Sequence, residues 1–379
     1  IVFGFCVYRR NMPMGIASVV GVLAIIGIMA VGMNFHPIYL STKTWMWIVG
    51  LYIAIASVTP VWILLQPRDY LSSFLLYAML AVAIFAVVVG HPTFDASFPA
   101  FGGFSVDNGN GTQYLFPVLF TTVACGAISG FHSLVSSGTT AKQINSEKDA
   151  RPIGYGAMLI ECVVAVVSIC AVGYVWKDAS AAESAFKSPT VVFATGISQM
   201  LGSFTNTKLQ SIMYQMLVLA VSVFCLTSLD TATRLARYMF QEFWLEKGQT
   251  SKDATGYKKV LTNPYFATGI TVVMGILLGM TGYTKIWPLF GAANQLLAAL
   301  GLLAVCAWLG NVGRNNKMFY VPMVFMLAVT ICSLVQTIIA KLAVHDGWSL
   351  IQAGIAVLLV VLAGVLAVTT FQTLGKQKK

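Results

Sequence analysis

Charge is scarce in this sequence. Asp, Glu, Lys and Arg make up 9% of its 379 residues, whereas a soluble domain carries about a quarter. A chain so poor in charge cannot cover a water-facing surface, and a soluble globular fold is excluded. Several chemistries are missing with it. There is no GxxxxGK[ST] run and hence no P-loop, and no HExxH helix for zinc-dependent hydrolysis. The seven cysteines (Cys6, Cys125, Cys162, Cys170, Cys225, Cys306 and Cys332) lie in apolar stretches without CxxC or Cys/His ligand spacing. That pattern excludes a disulfide framework and a cysteine-held metal, leaving small packing residues. The run GAISG at 126–130 has the wrong spacing for a serine-centred intramembrane protease. No nucleic-acid partner is expected, because the basic residues behind the net charge of +10 are scattered between apolar runs.

What is present is apolar sequence. Hydrophobic residues are 58% of the chain, and mean hydropathy is +0.80. A bilayer-spanning helix needs roughly 20 mostly apolar residues. The pattern predicts spans near 14–34, 45–65, 70–90, 114–138, 154–176, 210–230, 263–283, 286–310, 318–342 and 348–371. The expected fold is therefore an all-α integral membrane protein, a polytopic bundle of about ten transmembrane helices forming one domain over 1–379. With these spans, 17 of the Lys and Arg residues fall in loops on one side and 6 on the other. The positive-inside rule then puts both termini in the cytoplasm. Trp45, Trp47, Trp176, Trp287, Trp308 and Trp348 fall at span ends, where an indole suits the interface.

The chain opens on IVFGFCVY followed by Arg9 and Arg10, the reverse of a signal peptide's order. This start is expected to be the tail of a helix that begins earlier, making the chain a fragment. Residues 91–113, rich in Gly, Pro and Asn without Lys or Arg, are expected to be an irregular loop. The Asn110-Gly111-Thr112 sequon within it is explained by chance. In 177–209, Ile197, Met200, Leu201 and Phe204 recur at helical spacing. They predict a short amphipathic helix on the outer face, either interfacial or a lid.

Polar groups inside spans mark candidate sites, since each is costly in hydrocarbon. In ACGAISGFHSLVSSGT (124–139), three glycines, four serines and a histidine occupy the second half of a span. Glycine weakens a helix by about 1 kcal/mol relative to Ala, and a discontinuous helix with exposed backbone is expected. The alternative is close helix packing through Gly126 and Gly130. Ser129, Ser133 and His132 are the candidate polar contacts, with His132 titrating near neutral pH. Glu161 sits about two turns into its span and either carries a proton or is fixed by a partner such as Arg151. Thr227, Ser228 and Asp230 gather where another span ends, and their oxygens suit a hard cation such as Na⁺ or a proton relay. A local ion pair of Asp230 with Arg234 at i, i+4 is the competing reading. Gln66-Pro67-Arg68-Asp69 is expected to be a turn or gate with an ion pair. Asn294 and Gln295 either line a cavity or hydrogen-bond between helices.

At LLQPRDYL (64–71), ACGAISGFHSLVSSGT (124–139), FCLTSLDTATRLARY (224–238) and PLFGAANQLLAAL (288–300) the sequence resembles the carbon starvation protein A family of bacterial inner-membrane transporters. The likeness extends over most of the chain. It implies import of small carbon sources, with peptides or pyruvate as substrate, driven by an ion gradient of H⁺ or Na⁺, with H⁺ the expected coupling ion. No further cofactor is implied. It also implies the five-plus-five inverted-repeat fold of the amino acid-polyamine-organocation superfamily and transport by alternating access. Within that fold the span near 114–138 would be the broken sixth core helix. Core helices one and two, with the family's GTGPI-type motif, would then lie outside this sequence, and the stretch at 192–204 would match a lid. Gly126, Ser129, Gly130, His132, Ser133 and Asn294 are therefore the expected substrate contacts, and Glu161, Thr227, Ser228 and Asp230 the expected ion-coupling residues. The rivals are a passive channel, which would move solute only downhill, and a membrane-embedded enzyme or sensor.

Overall fold

The computed structural model describes residues 1–35, 37–96, 98–107, 112–176, 188–246, 248–251, 253–344 and 346–377. The sequon at 110–112 falls partly outside them, and residues 177–187 fall wholly outside. The described chain is almost wholly helical. Among the described residues, eight helical segments are long and apolar enough to cross a membrane, and two shorter apolar helices lie at Thr42–Val58 and Pro264–Met280. Together they overlie the ten spans read from the sequence, so the protein is a multi-pass, all-α membrane protein.

Helices α1 (Val2–Arg10), α2 (Met14–Asn34), α3 (Thr42–Val58) and α4 (Leu65–Gly90) come first. The hydrophobic pattern runs on to residue 65, but α3 stops at Val58. Pro60 is the reason: the residue before a proline is driven out of the helical region, and Thr59 is extended at φ −71°, ψ 141°. The next helix starts at Leu65 rather than near 70. Pro67 is tolerated in its first turn, where no intrahelical donor is lost. Arg68 and Asp69 consequently lie inside a helix, not in a loop.

The loop after α4 is less irregular than expected. Strands β1 (Ser105–Asp107) and β2 (Thr112–Tyr114) pair antiparallel, with Val106 opposite Gln113. The following span is interrupted. Leu115–Leu119 forms a wide π-type turn, Phe120–Val123 a short helix α5, and Ala124–Gly126 a single 3₁₀ turn. The chain then leaves helical geometry before α6 (Gly130–Gly138) begins, with Ser129 extended at φ −129°, ψ 131°.

Helices α7 (Glu147–Tyr174), α8 (Pro189–Met200), α9 (Thr207–Phe243), α10 (Tyr257–Leu261), α11 (Pro264–Met280), α12 (Tyr283–Asn311), α13 (Lys317–Val344) and α14 (Gly347–Gln377) complete the chain. Three helix starts carry a side-chain cap. Ser41, Ser188 and Asn206 accept from the backbone N–H three residues on, at 3.2, 3.3 and 2.9 Å, each cap contributing about 1 kcal/mol.

The chain divides into two compact units, 1–98 with 163–280 and 99–162 with 281–379. In the first, Met79, Ala83 and Ala86 of α4 pack with Val167 and Ala171 of α7, Ala194, Ile197 and Met200 of α8, and Leu217 of α9. Helix α8 is the amphipathic stretch expected at an interface or as a lid. Its apolar face is covered by protein, with Ile197 fully buried. Gly196 makes this possible, because a Cβ there would lie 2.6 Å from the Ala171 carbonyl oxygen of α7. A second cluster joins Ile53 of α3 to Val272 and Ile276 of α11. In the other unit, Ala292, Leu296 and Ala299 of α12 pack with Met326, Leu327 and Leu334 of α13 and Ala356 and Ala363 of α14. Large apolar side chains such as Val19, Leu23 and Ile28 of α2 and Leu358 and Val361 of α14 remain exposed, a surface suited to hydrocarbon.

Candidate substrate and coupling sites

The break before α6 is held by α12. Gly130 packs against the α12 backbone so closely that a Cβ would collide with the Asn294 carbonyl and the Leu297 side chain, and come within 2.6 Å of the Ala298 nitrogen. Asn294 then reaches the freed backbone: its Oδ1 accepts from Phe131 N–H at 2.8 Å, and its Nδ2 donates to Ser129 Oγ at 3.1 Å. Gln295 Nε2 donates to the Ile128 carbonyl at 2.9 Å. These bonds satisfy groups that an interrupted helix would otherwise leave unpaired. The discontinuous helix and the close glycine packing, weighed as alternatives in the sequence, are both present and depend on each other. Asn294 and Gln295 hydrogen-bond between helices.

Around the same break, the Cys162 thiol of α7 donates to the Gly126 carbonyl at 3.3 Å. One turn into α6, His132 Nε2 donates to Glu161 Oε2 of α7 at 2.9 Å. This pair is only partly covered, with side chains 41% and 35% exposed. Glu161 is thus held by His132, a residue 29 positions earlier, and not by the Arg151 considered from sequence. Ser133 lies beside Gly301 of α12, where a Cβ would meet its Oγ at 2.5 Å. Of the six residues expected to contact substrate, Ser129, Gly130 and Asn294 form a buried brace, while His132 with Glu161 forms the accessible polar pair beside it.

The second candidate site lies in the other unit. Helix α9 has 37 residues, about 55 Å at 1.5 Å per residue, well beyond the roughly 30 Å of a hydrocarbon core. Asp230 lies about 35 Å along it, and Thr227, Asp230 and Arg234 share one face. Asp230 is fully buried. Its Oδ2 is ion-paired with Arg68 Nη1 at the start of α4, and Tyr52 OH of α3 is 3.4 Å away. Arg68 also donates to Tyr52 OH at 2.7 Å and, through Nη2, to Asp69 Oδ1 at 2.8 Å. Thr227 Oγ1 donates to the same Asp69 oxygen at 3.3 Å.

The local Asp230–Arg234 pair is therefore not how this end of the helix is organised. Arg234 Nη2 donates to the carbonyls of Ala56 and Thr59, both at 2.7 Å. It binds the open C-terminal end of α3, where a cation is favoured by the exposed carbonyls. Ser228 points elsewhere, its hydroxyl meeting only the Phe224 carbonyl, at 3.4 Å, among the described residues. Sequence reasoning missed Arg68 as the partner of Asp230 because the span limit near 70 left it in a turn. The available signal was an arginine flanked by apolar runs on both sides, which requires an anion. Among the described residues, no three His, Cys, Asp or Glu side chains come together to hold a metal ion.

An interrupted helix braced by a neighbour, a partly covered His–Glu pair and a buried Arg–Asp pair define a polytopic membrane protein with polar sites inside its helical bundle. The family model described as "Carbon starvation protein CstA" matches residues 1–185 and 177–333, and the chain belongs to that family. It is 31% identical over 358 residues to the peptide transporter CstA of Helicobacter pylori, covering 78% of this chain and 50% of that protein. It is 33% identical over 365 residues to the peptide transporter CstA of Mycobacterium tuberculosis, covering 79% and 47%. The pyruvate/proton symporter BtsT of Escherichia coli K12 is 28% identical over 351 residues, covering 74% and 48%. The chain thus spans about half the length of the curated relatives it matches. No solved structure matches it.

Proposed function

We propose that the protein is a secondary active transporter importing a small carboxylate-bearing carbon source, a peptide or pyruvate, across the bacterial inner membrane. An H⁺ gradient drives it through alternating access, and both ends of the chain face the cytoplasm. The observation that carries this reading is the 2.9 Å contact of His132 with Glu161 beside the interrupted helix. Two titratable groups that share a hydrogen bond and remain partly accessible can take up and release a proton. The relatives' names, peptide transporter and pyruvate/proton symporter, agree with such a cargo and coupling ion.

Coupling follows from charge. With Glu161 ionised, its carboxylate holds the imidazole and repels a second carboxylate. A proton on the pair removes that repulsion and leaves His132 able to donate to the substrate's carboxylate. Substrate and proton then favour each other's binding, the reciprocity that symport requires. The brace of Asn294, Ser129 and Gly130 fixes the break so that α6 presents His132 in one orientation. Carriage of solute does not require bond-making, so the protein acts as a transporter and not as an enzyme.

The test is uptake of labelled pyruvate and of a dipeptide into proteoliposomes under an imposed pH gradient. Accumulation above equilibrium that collapses with a protonophore is expected. Accumulation indifferent to the gradient, or equilibration only, would overturn proton coupling, and the latter would point to a passive facilitator.

A further inference from the structure

The sequence offers the oxygens of Thr227, Ser228 and Asp230 to a hard cation or a proton relay, and of these Thr227 and Asp230 meet the Arg68–Asp69 pair in the structure. Asp69 Oδ1 and Tyr52 OH join them, reached through Thr227 and Arg68 respectively. Carboxylate and hydroxyl oxygens gathered in this way make a donor set for Na⁺ or Ca²⁺. A cation is already there. The Arg68 guanidinium is bonded to Asp230 Oδ2, to Tyr52 OH at 2.7 Å, and to Asp69 Oδ1 from Nε at 3.2 Å and Nη2 at 2.8 Å.

Three properties set this arrangement apart from an ordinary surface pair. Asp230 is 0% exposed, and its second oxygen, Oδ1, is buried with no hydrogen-bond partner among the described residues. The carboxylate thus keeps unused hydrogen-bonding capacity in a buried position. Two carboxylates face one guanidinium, and the neighbouring cation on α9, Arg234, is engaged with the Ala56 and Thr59 carbonyls. Finally, a guanidinium stays protonated at any accessible pH. Unlike a bound ion, it cannot be exchanged with the bathing solution.

We propose that Arg68 is a tethered cation filling a hard-cation site formed by Asp230, Asp69, Tyr52 and Thr227, so that this site takes no free ion until the guanidinium is removed. The native protein then has no Na⁺ requirement at α9. An arginine-free variant acquires a cation site, because a buried carboxylate without a counter-charge draws one in. The inference rests on this one unit and is independent of what the protein carries. Ion binding reads it without transport, so its failure and that of proton coupling are separable.

The experiment is equilibrium binding of radiolabelled Na⁺ and Ca²⁺ to the purified protein, to Arg68→Ala, and to each with Asp230→Asn added. The wild type is expected to bind neither ion above the level of its Asp230→Asn counterpart. Arg68→Ala is expected to bind one of them saturably and to lose that binding with Asp230→Asn. Should Arg68→Ala not survive purification in NaCl, CaCl₂ or choline chloride, Arg68→Gln, which keeps part of the hydrogen bonding without the charge, carries the same test. Saturable, Asp230-dependent binding by the wild type would overturn the proposal. So would a monodisperse Arg68 variant that binds neither ion.

Discussion

Each compact unit holds a candidate-site acidic group paired with a basic one, and the two pairs differ in burial and in chemistry. Asp230 and Arg68 are 0% and 17% exposed, and His132 and Glu161 are 41% and 35% exposed. The first joins a buried carboxylate to a guanidinium that does not release its proton, further tied to Tyr52 and Asp69. The second joins two groups that both titrate, at the edge of an interrupted helix. A permanent, buried pair locks helices together. A titratable, partly accessible one is suited to passing protons. Members of both pairs are coupling candidates from the sequence, and the structure buries one pair and leaves the other partly accessible.

The comparison breaks most sharply at the buried pair. Asp230→Ala leaves the Arg68 guanidinium without its buried partner, and removal of one member of such a pair costs about 3–5 kcal/mol. Thermal unfolding in detergent should register this as the largest loss among single substitutions at either site. The brace of the other unit comes next. Gly130→Ala drives a methyl into the α12 backbone at Asn294 and should cost about 1–3 kcal/mol as overpacking. It should also lower uptake by shifting α6. Asn294→Ala strips a bond from Phe131 N–H and from Ser129, a loss of about 1–3 kcal/mol for buried groups left unsatisfied. Melting curves measured side by side should show a smaller loss for both than for Asp230→Ala.

At the small end stands Ser228→Ala. Its hydroxyl touches only its own helix, so stability should move by less than about 0.5 kcal/mol. A drop comparable to that of Asp230→Ala would mean that Ser228 belongs to the cluster after all. Glu161→Gln should likewise unfold within about 1 kcal/mol of wild type, because a half-exposed pair contributes little to stability.

Much of this architecture was legible in the sequence, for physical reasons that can be named. Long apolar runs mark membrane helices because nothing else hides their backbone from hydrocarbon. The run of Gly and Ser at 124–139 marked the broken helix, since those residues weaken helical continuity. What stayed hidden was pairing across the chain. Arg68 and Asp230 are 162 residues apart, and no periodicity links positions so distant. Even His132 and Glu161, each singled out alone, could not be joined, because their meeting depends on how α6 is set against α7. The i, i+4 rule offered Arg234 to Asp230. The exposed carbonyls at the end of α3 took Arg234 instead, leaving Asp230 to Arg68. Helix limits failed where one proline outweighed hydropathy, at Pro60.

Proton coupling through the His132–Glu161 pair, as proposed, is open to a direct measurement: substrate-induced proton movement in proteoliposomes loaded with a pH-sensitive dye, comparing the wild type with Glu161→Gln. The wild type is expected to acidify the lumen as substrate enters. Glu161→Gln should exchange substrate across the membrane but neither move protons nor accumulate substrate against a gradient. Undiminished acidification by Glu161→Gln would contradict it.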